Sequence, residues 1–345
     1  MKKTFGLWLL FLALNTNAQT IYVSGVIGKD ANTGTKESPI KTLSEASKRS
    51  NLNMTDAYTD IILLEGVHII TETALFNNLK YKATKRLIIR AELLPDDAAW
   101  HPQMMPTILT AAPMEADIDG EKNSGIQVET NHVTIQGIRF TGSVDYQYKA
   151  EEKIRRSYPI RRDGLDLNDL LIKQCVFVGN PDIMPLHVGV IANGHGLVVE
   201  HCVFYHCKNP VVFWRAKGNS KGNAMRNCLV YGSSFSGIWT VETDGEDFDF
   251  SNNIIANSKL AWIRERNGTR SYKLNNSIIT NNNIMAGYAA GAVTGHIETK
   301  YDFMKMTNVK TEGTIQLEMN PAKRNYLHVQ SGTFGDELKA GLFSK

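Results

Sequence analysis

Past residue 14 the chain has no apolar run long enough to cross a membrane as a helix. Between Leu170 and Asn282 no run carries the 3.6-residue apolar spacing of a helix either, so that stretch of the protein is read as strands and turns. Cysteine is scarce: Cys175, Cys202, Cys207 and Cys228 are the whole set, and their spacing does not resemble a zinc site. An excess of one charge is also missing. Lys and Arg number 38 against 35 Asp and Glu, a formal +3 that falls to about +1 without Lys2 and Lys3. A near-neutral surface excludes non-specific nucleic-acid binding, so no nucleic-acid partner is expected.

The one apolar run is Phe5 to Leu14, behind Lys2 and Lys3 and ahead of Thr16-Asn17-Ala18. A basic start, a short apolar centre and small residues before a cut site read as a signal peptide over 1–18. No cysteine follows it to take a lipid. A secreted or periplasmic protein without a membrane anchor is expected, with one domain over 19–345 that is monomeric.

What the sequence has instead is repetition. From Ile172, Val199, Met225, Phe250 and Leu274 one phrase recurs: an apolar residue, two polar ones, a small one, then two apolar ones. The small residues are Cys175, Cys202, Cys228, Asn253 and Ser277, in steps of 27, 26, 25 and 24. A second column ends in Gly194, Gly218, Gly245 and Gly268. Units of this length made of short strands and turns specify a parallel β-helix, in which equivalent side chains stack into ladders about 4.8 Å apart. His132 to Gly142 fits the phrase once more, with Gly137 at the ladder position. The cysteines could pair as two disulfides or stack as free thiols; parallel ladders keep Cβ vectors from converging, which favours the stack.

Near the start stand Tyr22-Val23-Ser24, Asn32-Thr33-Gly34-Thr35 and Pro39-Ile40-Lys41-Thr42-Leu43. This series, with the repeats, resembles the secreted right-handed β-helix proteins of the pectin lyase-like superfamily. The fold expected is therefore all-β, a single right-handed parallel β-helix. Its N-terminal cap covers 19–60 and includes a short helix over Pro39 to Ser50; a C-terminal coil and cap cover 292–345, with Tyr326 to Ser331 as a closing strand. The step from Gly137 to Cys175 is 38 residues, roughly a dozen beyond one coil, and the excess reads as an inserted loop over 143–168. Its Arg155 and Arg156 are either substrate-binding or simply solvated.

Alternation in the second column turns Val188, Val212, Trp239 and Trp262 inward, with Val190, Trp214 and Val241. Outside fall Ile191, Arg215, Glu242 and Glu265 in one row, and Asn193, Lys217, Asp244 and Asn267 in the next. That stripe is either a surface salt-bridge ladder or the floor of a cleft for a charged glycan. Arg264 and Arg266 fall inward by parity, where an apolar core would leave them unpaired. A register slip or a flared coil is expected to bring both to the charged face.

The resemblance implies an enzyme acting on an anionic polysaccharide or oligosaccharide by β-elimination across C4 and C5 of a uronate. Such chemistry needs a cation or arginines on the carboxylate and a base at C5. Lys217 or Arg266 would be the base and Arg215 the carboxylate partner, with His187, His195 and Tyr288 as further proton-transfer groups. Arg264, Asn193, Asn267, Arg155 and Arg156 would bind substrate. Glu242, Asp244 and Glu265 resemble the acidic group of calcium-dependent members, so calcium is the cofactor the resemblance allows. Acting at a chain end, the same elimination would release water, as a dehydratase does. The alternatives are a glycoside hydrolase using Glu242 with Glu265 or Asp244, and a non-catalytic glycan-binding protein.

Overall fold

A computed structural model describes residues 19–52, 59–117, 120–142, 154–180, 187–241, 245, 247–265, 269–289 and 297–344. The signal-peptide segment, Glu242, Asp244, Arg266 and Asn267 lie outside them, as does the side chain of Arg155. No helix among the described residues is long and apolar enough to cross a membrane.

Among the described residues the strands form one 17-stranded and one 10-stranded sheet, paired in parallel from coil to coil. Antiparallel pairing between strands is confined, among the described residues, to Glu115–Asp117 against Gly120–Val128 and Ile284–Ala289 against Ile297–Thr299. The chain folds as a parallel β-helix, the all-β solenoid its repeats specify.

The phrase repeats because each coil turns a corner in the left-handed backbone region. Gly137, Gln174, His201, Asn227, Asn252, Asn276 and Asn308 all have φ between 45° and 73°. Glycine and asparagine tolerate that region best, which explains the column of turn residues. Gly137 belongs to this corner, so the ladder residue of its coil is Ile138, one position later than the repeat suggests. Next comes the inward ladder Cys175, Cys202 and Cys228, all buried free thiols. Their Sγ atoms lie 3.2–3.3 Å from the carbonyl oxygens of Lys173, Glu200 and Arg226. Asn253 continues the stack, donating from Nδ2 to Met225 O at 2.7 Å. Deeper in, Phe140, Phe177 and Phe204 stack with centroids 4.8 and 4.6 Å apart, the spacing of the rungs themselves.

The N-terminal series closes the first coil. Asp30 Oδ1 accepts from the amides of Lys41 and Thr42, and Asn32 Nδ2 donates to Pro39 O. Thr42 then accepts from Glu45 N at the start of the Leu43–Leu52 helix, whose Leu43 and Ala46 are buried against the open end. Ile40 pairs with Val23 as a bridge and is not part of the helix.

Two expected segments differ. Ile154–Arg162, inside the stretch read as an inserted loop, is a strand paired with Gly120–Val128 and Val188–Ala192. Arg156 and Arg161 face a cavity, Arg162 is charged yet buried, and Pro159 breaks the alternation, so the segment lacks a strand's apolar signature. Tyr326 to Ser331 is not a closing strand. The last parallel strand is Met304–Lys310, and the residues after it run back over the outer side of the large sheet, where Ile315, Leu317, Leu327, Val329 and Leu342 join Val176, Val203, Leu229 and Ile254 in a second apolar cluster.

Candidate active site

The ten-stranded sheet does not alternate simply. In four successive coils two adjacent residues point inward, and the first of the pair is small or proline: Gly189 before Val190, Pro210 before Val211, Gly237 before Ile238, Ala261 before Trp262. A Cβ on Gly189 would sit 2.7 Å from Pro210 O and 3.3 Å from the Phe177 ring. The pair resets the parity of everything after it. The outward rows are therefore Arg161, Ile191, Val212, Trp239 and Ile263, followed two residues on by Asn193, Trp214, Val241 and Glu265.

This corrects the expected faces. Val212, Trp239 and Trp214 are outside, while Val211, Phe213 and Ile238 fill the core. The turn glycines are not equivalent: Val190 pairs with Val211, 21 residues on, and Val211 with Ile238, 27 on. Loops of unequal length separate strand register from glycine spacing. What crosses the coils is an apolar and aromatic floor, with charge at its margins.

Over that floor opens a cavity of about 370 Å³. Its wall carries five cations, Lys122, Arg156, Arg161, Arg162 and Arg215, and three carboxylates, Asp117, Asp163 and Glu265. Asp117 lies 3.3 Å from both Lys122 and Arg156. Arg161 grips Asp163 through two nitrogens, at 2.7 and 2.9 Å. Arg162 is almost wholly buried and donates to the carbonyls of Asn193 and His195 at 2.6 and 2.8 Å, holding that turn in place. Burial pulls its pKa down to about 9, opposed by Asp169, so it stays charged at neutral pH. Arg215 differs from the other four. It is exposed, its guanidinium lies 5.7 Å from the Trp214 ring centroid, and it has no acidic partner among the described residues. Its own amide donates to Asn193 Oδ1.

His187 lines the same cavity and is 6% exposed. Asn209 donates to its carbonyl, and Ser236 Oγ donates to Asn209 Oδ1 at 2.8 Å, so a bonded row of polar side chains fixes that edge. Beside it Lys208, unremarked in the sequence, is held below the usual lysine range by burial first, then by Arg156 and Lys259. Alternating strand positions could not have revealed it, because it sits in the turn ahead of the strand.

Of the residues expected at the site, the structure brings together Arg156, His187, Asn193, Arg215 and Glu265. Lys217 lies elsewhere: its side chain is 74% exposed and bonds Asp166 at 3.2 Å. Arg264 is buried, with no register slip between Thr240 and Tyr288. Its charge is accommodated by the Tyr288 and Phe303 rings, at 4.4 and 4.8 Å, and by Arg270 O at 2.6 Å. Tyr288 in turn bonds Asp302. Glu265 is the one of the three expected calcium ligands that is described, and among the described residues no three His, Cys, Asp or Glu side chains converge. Sequence reasoning missed Lys122, Tyr158, Trp214 and Trp239 as cavity residues. The aromatics carried a signal, two tryptophans in neighbouring coils, that the parity error assigned to the core.

Among solved structures the chain is similar to a rhamnogalacturonan lyase, with 13% identity over 79% of this chain and 70% of that one at a TM-score of 0.51. It is also similar to pectate lyase Pel9A, with 11% identity over 92% and 90% at 0.48, and to an alginate lyase from Paenibacillus sp. str. FPU-7, with 12% over 85% and 99% at 0.44. At such identities the likeness is one of fold. No protein-family model and no curated protein matches the chain.

Proposed function

We propose that the protein is a carbohydrate-active enzyme that eliminates across C4 and C5 of a uronate in an anionic polysaccharide or its fragments. The observation that carries this reading is Arg215, an exposed guanidinium without an acidic partner among the described residues, stacked on Trp214 at a cavity floored by a second tryptophan. Indole faces suit the C–H faces of a sugar ring, and an uncommitted arginine suits its carboxylate.

In this reading Arg215, with Arg156 across the cavity, neutralises the carboxylate and stabilises the enolate-like charge that grows as C5 loses its proton. His187 takes that proton; imidazole is the side chain whose ordinary pKa suits a base near neutrality. The C5–H electron pair forms the C4–C5 double bond, and the group at C4 leaves with its bonding pair. A cavity of about 370 Å³ is at the small end for ligand sites, which favours a terminal uronate over the middle of a polymer. If C4 there carries a free hydroxyl, the same step releases water. Calcium remains part of the proposal through Glu265, with Glu242 and Asp244.

The test is absorbance of a C4–C5 unsaturated uronate on a panel of uronic polysaccharides and oligosaccharides, with calcium and with chelator. A rise supports elimination, and product length then separates chain cleavage from dehydration. New reducing ends without a rise would mean hydrolysis, and neither signal would sink the enzymatic reading in favour of glycan binding.

A further inference from the structure

Three side-chain ladders that run through the coils stop unfinished at the C-terminal end of the solenoid. Met225, Phe250 and Leu274 are successive rungs of the core, each fully buried, and the next rung, Met306, is 39% exposed. Beside it Val309 continues the inward position of Cys228, Asn253 and Ser277 and is only partly buried. The corner asparagines make the third ladder: Asn276 Nδ2 donates to Asn252 Oδ1, and Asn308 Nδ2 to Asn276 Oδ1 at 2.7 Å. Asn308 Oδ1 has no donor among the described residues.

The backbone is open at the same place. In the coils beneath, each corner amide donates to the coil that follows, Asn227 N to Ser251 O at 3.1 Å and Asn252 N to Asn275 O at 3.2 Å. Asn308 holds that corner with φ 52°, and among the described residues no coil follows it. Met304–Lys310 pairs there with Tyr272–Thr280 on one edge only. Tyr272 N donates to Phe303 O, and a parallel ladder engages alternate residues, so the peptide groups of Met306 point to the free edge. At the other end of the solenoid the Leu43–Leu52 helix provides a cover.

An end that exposes core side chains and unpaired peptide groups together is satisfied by a further strand. This edge bends at Asn308, so a straight strand would follow only one of its arms. A second copy of the chain, related by a two-fold axis across the coil, brings an antiparallel edge with the same bend. Folding the bend onto itself sets Met306 opposite Val309 of the other copy, both inward, and Thr307 opposite Asn308, both outward. Lys305 then faces Lys310 of the other copy, whose charge is already met by Glu337 at 2.5 Å.

We infer that this end is an interface between two copies of the chain, stacked C-terminal end to C-terminal end, with Met306 of each seated on Val309 of the other. A dimer with one continuous core replaces the monomer expected from the sequence, and the inference is independent of the uronate reading.

The mature chain, residues 19–345, is followed by sedimentation equilibrium from about 1 to 100 μM, where interfaces of modest quality associate. A mass of two chains is expected. Met306→Lys sets a charge where the two cores meet and should weaken association at least about tenfold. Met306 is part exposed within one chain, so the circular dichroism and Tm of the variant should match those of the parent. Register is read with Met306→Cys and Val309→Cys made separately. The four native thiols are buried, so oxidising a mixture of the two variants should link one to the other, while neither alone links to itself. The mass of one chain at every concentration overturns the inference and leaves Lys305 and Lys310 as charges that keep the edge unpaired. Association that Met306→Lys leaves unchanged, or self-linking of Met306→Cys, overturns it as well.

Discussion

Arg215 and His187 are the residues on which the proposed chemistry turns. Arg215→Met keeps much of the side chain's length over Trp214 while deleting the charge, so folding should be unaffected and kcat/KM on the responding uronate should fall about 100-fold, or roughly 3 kcal/mol of transition-state stabilisation. His187→Asn should lower kcat by 10²- to 10⁴-fold at similar KM, the range of a lost general base. Lys217→Ala removes an exposed cation that bonds Asp166 outside the cavity, and activity should stay within about twofold. A large loss there would return the base to Lys217 and move the site along the face. Gly189 tests the fold below the site. The 2.7 Å approach of its missing Cβ to Pro210 O involves backbone, which gives little, so Gly189→Ala should cost roughly 1–3 kcal/mol in urea denaturation.

At the scale of elements, repeats and corners were legible because both are local. The column of small residues and the turn asparagines follow from backbone geometry that recurs in every coil. Facing was not legible beyond the first strand column. The doubled inward positions at Gly189-Val190 and Gly237-Ile238 shift parity by one, and coil steps of 21 and 27 detach glycine spacing from register. The expected charged stripe was the result: Arg215, Glu265 and Asn193 do reach the outer face, but Trp214 and Val241 stand between the latter two in their row. The C-terminal segment was illegible for another reason, since its packing and its polar ties reach far back along the chain. Arg324 alone donates to the carbonyls of Pro95, Asp97, Ala98 and Trp100, at 2.8 to 3.2 Å. Arg324→Met would leave those oxygens without their charged donor and should lower stability by about 2–3 kcal/mol, read as a fall in Tm.

Across the whole molecule, a solenoid couples each coil mainly to its neighbours, and the C-terminal segment adds ties that skip coils. Gly341 donates to Asn227 O, Gln174 to Leu342 O and Ser344 to Asp96 Oδ1. His328 holds this segment to itself. Its Nε2 accepts from Leu342 N at 2.9 Å, its Nδ1 meets Tyr326 O at 3.0 Å, and its ring stacks on Phe343. Only the neutral ring with its proton on Nδ1 satisfies both bonds; a proton on Nε2 would face the Leu342 N–H. Burial accordingly pushes the His328 pKa down to about 4, and burial also lowers those of His68 and His201. An unfolded histidine titrates near 6.5, so between about pH 6.5 and 4 the unfolded chain binds protons that the folded one refuses. The stabilisation is thus fully present above pH 6.5 and is lost as pH falls through that window, by roughly 3 kcal/mol for His328 alone. His328→Gln offers an amide that can accept from Leu342 and donate to Tyr326 without titrating. Thermal melts from pH 8 to 4.5 should show a steep acid limb in the parent protein and a shallower one in His328→Gln; parallel limbs would place the acid sensitivity in other groups, among them His68, His201 and the carboxylates held below their usual range, leaving the C-terminal tie indifferent to pH.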